Sequence, residues 1–512
     1  MNAKLRESIR GRKRRLQARI DKNKMPSTPA IKTGRIDLEL AERQQAIAAG
    51  GLSAVLQLIN TVELRKHINR AIPLFKFYMP YDEADHVLNI ALNLLAGGTC
   101  LDHLELRRTD EAYLNAVGAE RIPDPTTAGD FCRRFDESKI LQLMEGINQA
   151  RQTVWKQQPP EFFKRAIIEA DGTMVETTGQ RKEGIGMNYR RQWGYHPLVV
   201  TLANTREILY IANRSGSCAS HEGSPFYFDL AVKQCRDAGF GEVLLRGDTD
   251  FALTENFDRW DEDNVQFVFG YDKKPNLVDI AKSLPKDVWK PLQRRLPAEP
   301  KTDRRTGRPN FKEEIVRQKA YLNKSCHGEE IAEFDYKPQA CKRSYRMVVI
   351  RKAIENARGQ LHLFDDDLYL FYITNEPRSS CSAQQVVFHA NDRCGQENEI
   401  SQLHASGALA APLDNLQSNW AYMVIASLAW TLKCWSGLLL RPQGHRQQKA
   451  RQAELKHRII RMEFHTFRQT FIDIPAQIIR TSRRLIYRLL SFREAVEHLL
   501  IMHEHISRPL RC

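Results

Sequence analysis

Three acidic side chains occupy positions from which a carboxylate can do chemistry. Asp171 closes the apolar stretch in IIEADGT (167–173), and Asp248 does the same in VLLRGDTDF (243–251). A carboxylate directly after a buried strand lies at the carboxyl edge of a sheet, where open α/β sheets hold their ligands. Gly172 and Gly247 beside them permit a sharp turn or a close approach. Either aspartate alone reads as an ordinary turn residue; the two together, each after an Ile/Leu/Val run and each next to glycine, read as a site. The third acid, Glu397, lies in NDRCGQENEISQLH (391–404), which predicts a helix. Arg393 and Glu397 are four apart and share a face, and His404 returns to that face about two turns later. Glu399 is the rival, but it sits roughly 200° around the helix, so both acids cannot serve one centre. The plain alternative is a surface Arg393–Glu397 pair worth about 0–1 kcal/mol.

Three carboxylates with no histidine or cysteine cluster select a hard cation with oxygen ligands, Mg2+ or Mn2+. Two such ions about 3.5–4 Å apart activate an attacking oxygen and stabilise a leaving oxygen in phosphodiester displacement. They also relieve the repulsion that would otherwise protonate crowded acids. The expectation is a metal-dependent site in which Arg393 steadies Glu397 or reaches a substrate phosphate.

The elements that must position these groups follow from local pattern. Runs at 165–177, 195–204 and 207–215 are rich in Ile, Val, Leu and Tyr and predict three consecutive strands. A helix over 226–238, a strand over 241–247, a helix over 254–261 and a strand over 265–270 complete a mixed sheet flanked by helices. Upstream, helices are expected over 36–70, with Leu52, Val55, Leu56 and Ile59 on one stripe, over 81–95 with a glycine stop at Gly97 and Gly98, and from Asp124-Pro125 onward. Short helices of this kind allow a helix-turn-helix reader of DNA, a plain bundle being the simpler reading. Residues 272–385 predict an inserted, largely β subdomain with strands at 330–336, 345–351 and 369–374, and helix returns near Asn391.

The chain has 512 residues, which at roughly 150 per domain means about three domains. A 42% hydrophobic and 9% aromatic content excludes a mostly disordered chain. Ten cysteines without a Cys-x-x-Cys pair support neither a zinc knuckle nor a disulfide framework and suit a reducing cytosol. The basic opening lacks the apolar core that export needs, and the most apolar segment, 421–435, is shorter than a bilayer span and contains Lys433. The net charge of +15 sits at the ends: +8 over residues 1–24 and +9 over 441–512, with about −2 between. A polycationic end attracts phosphate through counterion release, and a solvated tail is the plain alternative. The run RGRKRR (10–15) reads as a flexible basic tail. In the C-terminal stretch, Leu455, Ile459, Ile460, Met462 and Phe464 recur among Lys456, Arg458 and Arg461. Likewise Ile486, Leu489 and Leu490 recur among Arg483, Arg484 and Arg488. Both patterns predict helices with one buried and one basic face, favouring a nucleic-acid surface.

The acidic residues and their surroundings resemble the DDE transposases of bacterial insertion sequences, which have a ribonuclease-H-like core. The matching branch carries its Glu in a helical signature of Tyr, two residues, Arg, three residues, Glu, six residues, Lys. Here Arg393-CGQ-Glu397 matches the centre, Asp171 in ADGT the first acid, and Asp248 in LRGDTDF the second. Ala390 stands where the Tyr belongs and His404 where the Lys belongs; in the family those partners touch DNA phosphate near the cut. His404 can donate such a contact when protonated, though with an ordinary pKa near 6.5 it is mostly neutral at pH 7.

The resemblance implies an α/β fold: a ribonuclease-H-like mixed-sheet catalytic core (161–271 and 386–440) interrupted by a β-rich insertion (272–385). A helical DNA-end-binding region (1–160) and a basic helical region (441–512) would flank it. It implies that Asp171, Asp248 and Glu397 are catalytic and hold two Mg2+ (or Mn2+) ions, and that Arg393 and His404 contact DNA. It implies cut-and-paste chemistry on double-stranded DNA. The protein would bind terminal inverted repeats, cut them with a metal-activated water and join the freed 3′-hydroxyl to target DNA. It would act as a homodimer on DNA in the cytoplasm, associated with the nucleoid. Arg304, Arg305 and Arg308 would meet flanking DNA, a role that a solvated loop explains equally well. Trp193 and Trp289 could stack on an extruded base, packing being the simpler reading. The alternatives are a metal-dependent nuclease that cuts without joining, and an inactive relic that binds DNA as a repressor.

Overall fold

Good helix formers dominate the chain upstream of the sheet. The structure, a computed structural model, describes residues 3–22, 36–39, 45–76, 80–294, 311–358, 361–481, 483–490 and 493–510. Its first element, α1 (Ala3–Lys22), replaces the flexible tail expected there. Leu, Arg, Lys, Gln and Glu all favour helix, Ile9 is buried, and Arg10 lies 3.7 Å from Glu497. Of the stretch expected as helix from residue 36, residues 36–39 are not helical, Ala46–Ile47 forms the short strand β1, and α2 (Leu52–Thr61) follows. Gly51 marks the reason for that start. A Cβ there would lie 1.7 Å from the Phe471 carbonyl oxygen, so only glycine lets the two backbones meet. After α3 (Leu64–Ala71), α4 (Glu83–Leu95) opens on an Asp82–Asp85 capping box and stops at Gly97, which has φ +103°. Asp124 caps α5 (Pro125–Cys132), accepting from the Thr127 amide at 2.9 Å, and α6 (Glu137–Trp155) follows. Helices α3 and α6 pack together as a bundle.

The central sheet is built from β2 (Arg165–Gly172), β3 (Leu198–Leu202), β4 (Glu207–Ala212), β5 (Glu242–Gly247) and β6 (Val265–Tyr271), with α7 (Ser224–Asp237) crossing between β4 and β5. The spatial order is β4-β3-β2-β5-β6. Strands β2, β5 and β6 run parallel, and β3 runs antiparallel to both its neighbours. That is the ribonuclease-H-like arrangement, and its buried strands read as continuous apolar runs. The segment expected as an inserted, largely β subdomain is rich in strand, and its strands extend this sheet. Strands β7 (Leu322–Tyr336), β8 (Tyr345–Arg358) and β9 (Leu361–Thr374) are far longer than the sequence runs suggested, and β9 pairs with β6 from Phe371↔Tyr271 to Thr374↔Val268. With Lys290–Pro291 at the far edge, nine strands form one sheet among the described residues. The outer part of β7, residues 322–328, is largely polar and mostly exposed, which hides it from a search for apolar alternation.

The return to helix is broken in two, α8 (Ala383–Asn391) and α9 (Cys394–Ala405), rather than running unbroken from Asn391. Next, α10 (Leu416–Leu438) is buried along almost its whole length and packs on β4, α4 and α6. It contains the apolar segment that is too short for a bilayer; among the described residues no helix is long and apolar enough to cross a membrane. Glu207 ties the layers together, accepting from Arg151 of α6 (3.0 Å), Trp155 (2.9 Å) and Trp435 of α10 (2.7 Å). Helix α11 (Arg446–Arg461) is amphipathic as its spacing predicts, with Leu455 and Ile459 buried and Arg446, Lys449, Arg451 and Arg458 exposed. The second expected basic helix is a hairpin, β10 (Ala476–Arg480) with β11 (Leu485–Leu489). Tyr487 and Leu489 alternate inward at period two against a small apolar cluster, and that overrides the helical spacing. Strand β10 also pairs with β1, and α12 (Glu494–Ile506) packs on α2.

Candidate active site

Strands β2 and β5 are neighbours in parallel register, with Glu169 opposite Arg246. Asp171 and Asp248 each lie two residues further on, so both emerge at the same carboxyl edge. Asp248 also caps a short turn by accepting from the Asp250 amide at 3.0 Å. Gly247 is required by packing, since a Cβ there would stand 2.6 Å from Cβ of Phe251. Helix α9 brings the third acid across the sheet edge, anchored where buried Gln396 donates to the Val199 carbonyl of β3 at 3.0 Å.

Arg393 is the centre of the arrangement. It caps α9 with helical backbone angles, so the four-residue relation to Glu397 survives the break between α8 and α9. Its Nη1 lies 3.0 Å from Asp171 Oδ2, and its Nη2 lies 3.0 Å from Glu397 Oε1 and 4.0 Å from Asp248 Oδ2. One guanidinium thus touches three carboxylates from three different elements. Burial pushes the Asp171 carboxyl up to about 6; Arg393 opposes the rise and the nearby Asp248 adds to it. Burial also raises Asp248, again against the pull of Arg393. For Arg393 burial alone would lower the pKa, but Asp171, Asp248 and Glu397 outweigh it and hold the guanidinium above its ordinary value. Glu397 is the most exposed of the three acids, at 55% of its side chain.

His404 also faces this edge. Its Nε2 lies 3.0 Å from the Thr173 hydroxyl, two residues after Asp171, and burial lowers its pKa, so the ring is neutral at pH 7. Glu399 points the other way, as its helical offset requires. It is buried 3.4 Å from Arg206, and burial pushes it up to about 8 despite that partner. Ala390, where the signature would have Tyr, packs against an apolar cluster containing Val386 and Val387. Arg304, Arg305 and Arg308 lie outside the described residues. Trp289 is buried with the Arg351 guanidinium 4.3 Å over its ring, the packing role, while Trp193 is half-exposed.

Sequence reasoning passed over the pair directly beneath the acids. Glu169 and Arg246 form an ion pair with both side chains buried, and Arg246 also donates to the His389 carbonyl at 2.8 Å. Burial pushes Glu169 up to about 6, against the pull of Arg246. The signal was present: in a strand the residue two before a candidate shares its face, and here those residues are one acid and one base.

A family described as transposase DDE domain, group 1, matches residues 41–508. Among solved structures the chain is similar to a piggyBac transposase in a synaptic complex with hairpin DNA, at 11% identity over 81% of each chain with a TM-score of 0.36. No curated protein matches.

Proposed function

Because the chain belongs to the transposase DDE domain group 1 family, we propose that it cuts DNA at the ends of a mobile element and joins the freed 3′-hydroxyls to target DNA. The observation that carries this reading is the convergence of Asp171, Asp248 and Glu397 on one guanidinium. Three carboxylates without thiol or imidazole are a donor set for Mg2+ or Mn2+, and these residues would hold two such ions. When bound, the ions supply an activated oxygen nucleophile and stabilise the leaving oxygen.

The chain's own residues do the rest. Asp171 and Asp248 are fixed by the ends of adjacent strands, so their spacing does not depend on a loop. Glu397 arrives on α9 from the far side and closes the set. Arg393 keeps the three acids together until they take up cations, and its planar fork can then pair with a backbone phosphate. His404 in its neutral form holds the Thr173 hydroxyl and steadies the turn after Asp171. The exposed basic face of α11 gathers duplex DNA by counterion release. In this reading the DNA is terminal inverted repeat and target, and two protomers bring two ends together.

The test is incubation with Mg2+, a labelled fragment bearing the element's end, and a supercoiled plasmid. Joined product is expected. Cleavage without joining would make the protein a nuclease, and a mobility shift without cleavage would make it a binder. Asp248→Asn is expected to bind DNA normally and cut none of it; a normally cutting variant would remove Asp248 from the site.

A further inference from the structure

We propose that Glu376, Cys381 and His389 form a Zn2+ site, with one carboxylate oxygen, one thiolate and one imidazole nitrogen as protein ligands. Their ligand atoms all lie within 4.8 Å of one another. Glu376 Oε2 is 3.1 Å from His389 Nδ1 and 3.5 Å from Cys381 Sγ, so three chemically different donors face one point. Glu376 and Cys381 are each 4% exposed, and the thiol packs with Val386 and Val387. Sulfur and imidazole beside a single carboxylate suit Zn2+, whereas Mg2+ asks for oxygen alone.

The surroundings have the form of a supporting shell. Glu376 Oε1, the oxygen turned away from the thiol and imidazole, pairs with Arg165. Ligating carboxylates are held in this way by partners outside the ligand set. Arg346 donates to the Cys381 carbonyl at 2.6 Å and fixes the loop that carries two of the ligands. The spacing, Glu376 to Cys381 to His389, contains no Cys-x-x-Cys pair, so the absence of that pair did not bear on it. Binding replaces the thiol S–H with a zinc–sulfur bond, and the Cys381 proton passes to solvent. The ion would clamp the end of β9 to α8, four residues before Arg393, and so fix the approach of α9 to the sheet edge.

Cobalt tests this without relying on activity. Full-length protein stripped with a chelator is titrated with Co2+, and a sulfur-to-cobalt charge-transfer band is expected in the near ultraviolet. The band should disappear on adding Zn2+, be absent in Cys381→Ser, and persist in Cys394→Ser and in Asp171→Asn. A wild-type protein that shows no such band at saturating Co2+ overturns the proposal even if Cys381→Ser fails to fold. A band that survives Cys381→Ser, or is lost in Asp171→Asn, also overturns it.

Discussion

Glu169 and Arg246 face each other across the parallel ladder two residues short of Asp171 and Asp248, and both ends of that ion pair are buried. Two charges taken out of water recover their solvation only while both are present. Arg246→Met leaves Glu169 uncompensated, and a loss of about 3–5 kcal/mol is expected in urea unfolding. Converting Glu169 to Met as well should return much of it. A double variant no more stable than the single one would show that the pair is not what Arg246 contributes.

Arg393 fills a place that cations would take in the proposed chemistry. Arg393→Met is expected to lower the stability of metal-free protein by about 1.5–3 kcal/mol, the scale of hydrogen bonds to charged groups. Mg2+ should then raise the melting temperature of the variant more than that of the wild type. Equal shifts would mean that guanidinium and cation do not share the three acids.

Two glutamates two residues apart should behave oppositely. Glu397→Gln is expected to reduce DNA cleavage to background, because it removes one of the converging carboxylates. Glu399→Gln should cleave normally at pH 7, since burial already keeps that side chain largely protonated there. Loss of cleavage in Glu399→Gln with unchanged stability would reverse the assignment.

The basic face of α11 is testable without deleting it, which matters because Ile459, Phe467, Phe471 and Ile472 further along that region are core residues. Substituting Arg446, Lys449, Arg451 and Arg458 by Gln should weaken DNA binding. The slope of log affinity against log salt should become shallower by about 0.9 for each phosphate no longer neutralised. An unchanged slope would place the DNA elsewhere.

His86 gives the protein an acid-sensitive point on α4. It is buried and stacked 4.4 Å from Phe131, and burial lowers its pKa from 6.5 to about 4. The folded chain therefore binds this proton less tightly than the unfolded chain. Its contribution is complete above about pH 6.5 and declines as the pH falls towards 4. His86→Phe should show a shallower decline in unfolding free energy between pH 6.5 and 4; an identical decline would assign that acid sensitivity to other groups.

The core strands were legible because they stand out as short, largely buried apolar runs, β2 ending in Asp-Gly and β5 running into Gly-Asp. The Arg393–Glu397 relation was legible because helical spacing is local. Less visible was what depends on partners distant in sequence. β7, β8 and β9 reach beyond their apolar centres through hairpin pairing, which no single run announces. Arg483–Leu490 carried a helical spacing, but Tyr487 and Leu489 found a core at period two. The Glu169–Arg246 pair needed the register of two strands 77 residues apart before acid and base could be matched.

Strand β1 at Ala46–Ile47 has its partner at Ala476–Gln477, and the Gly50 and Gly51 amides donate to the carbonyls of Ile474 and Ile472. On the ribosome, then, the early helices wait for a partner that is among the last parts of this sequence to be translated. Pairings of such long range form slowly, and until they form a nascent chain has its interior apolar surfaces uncovered. A chain that stopped short of Ile472 would yield no smaller working version, only a substrate for chaperones and proteases.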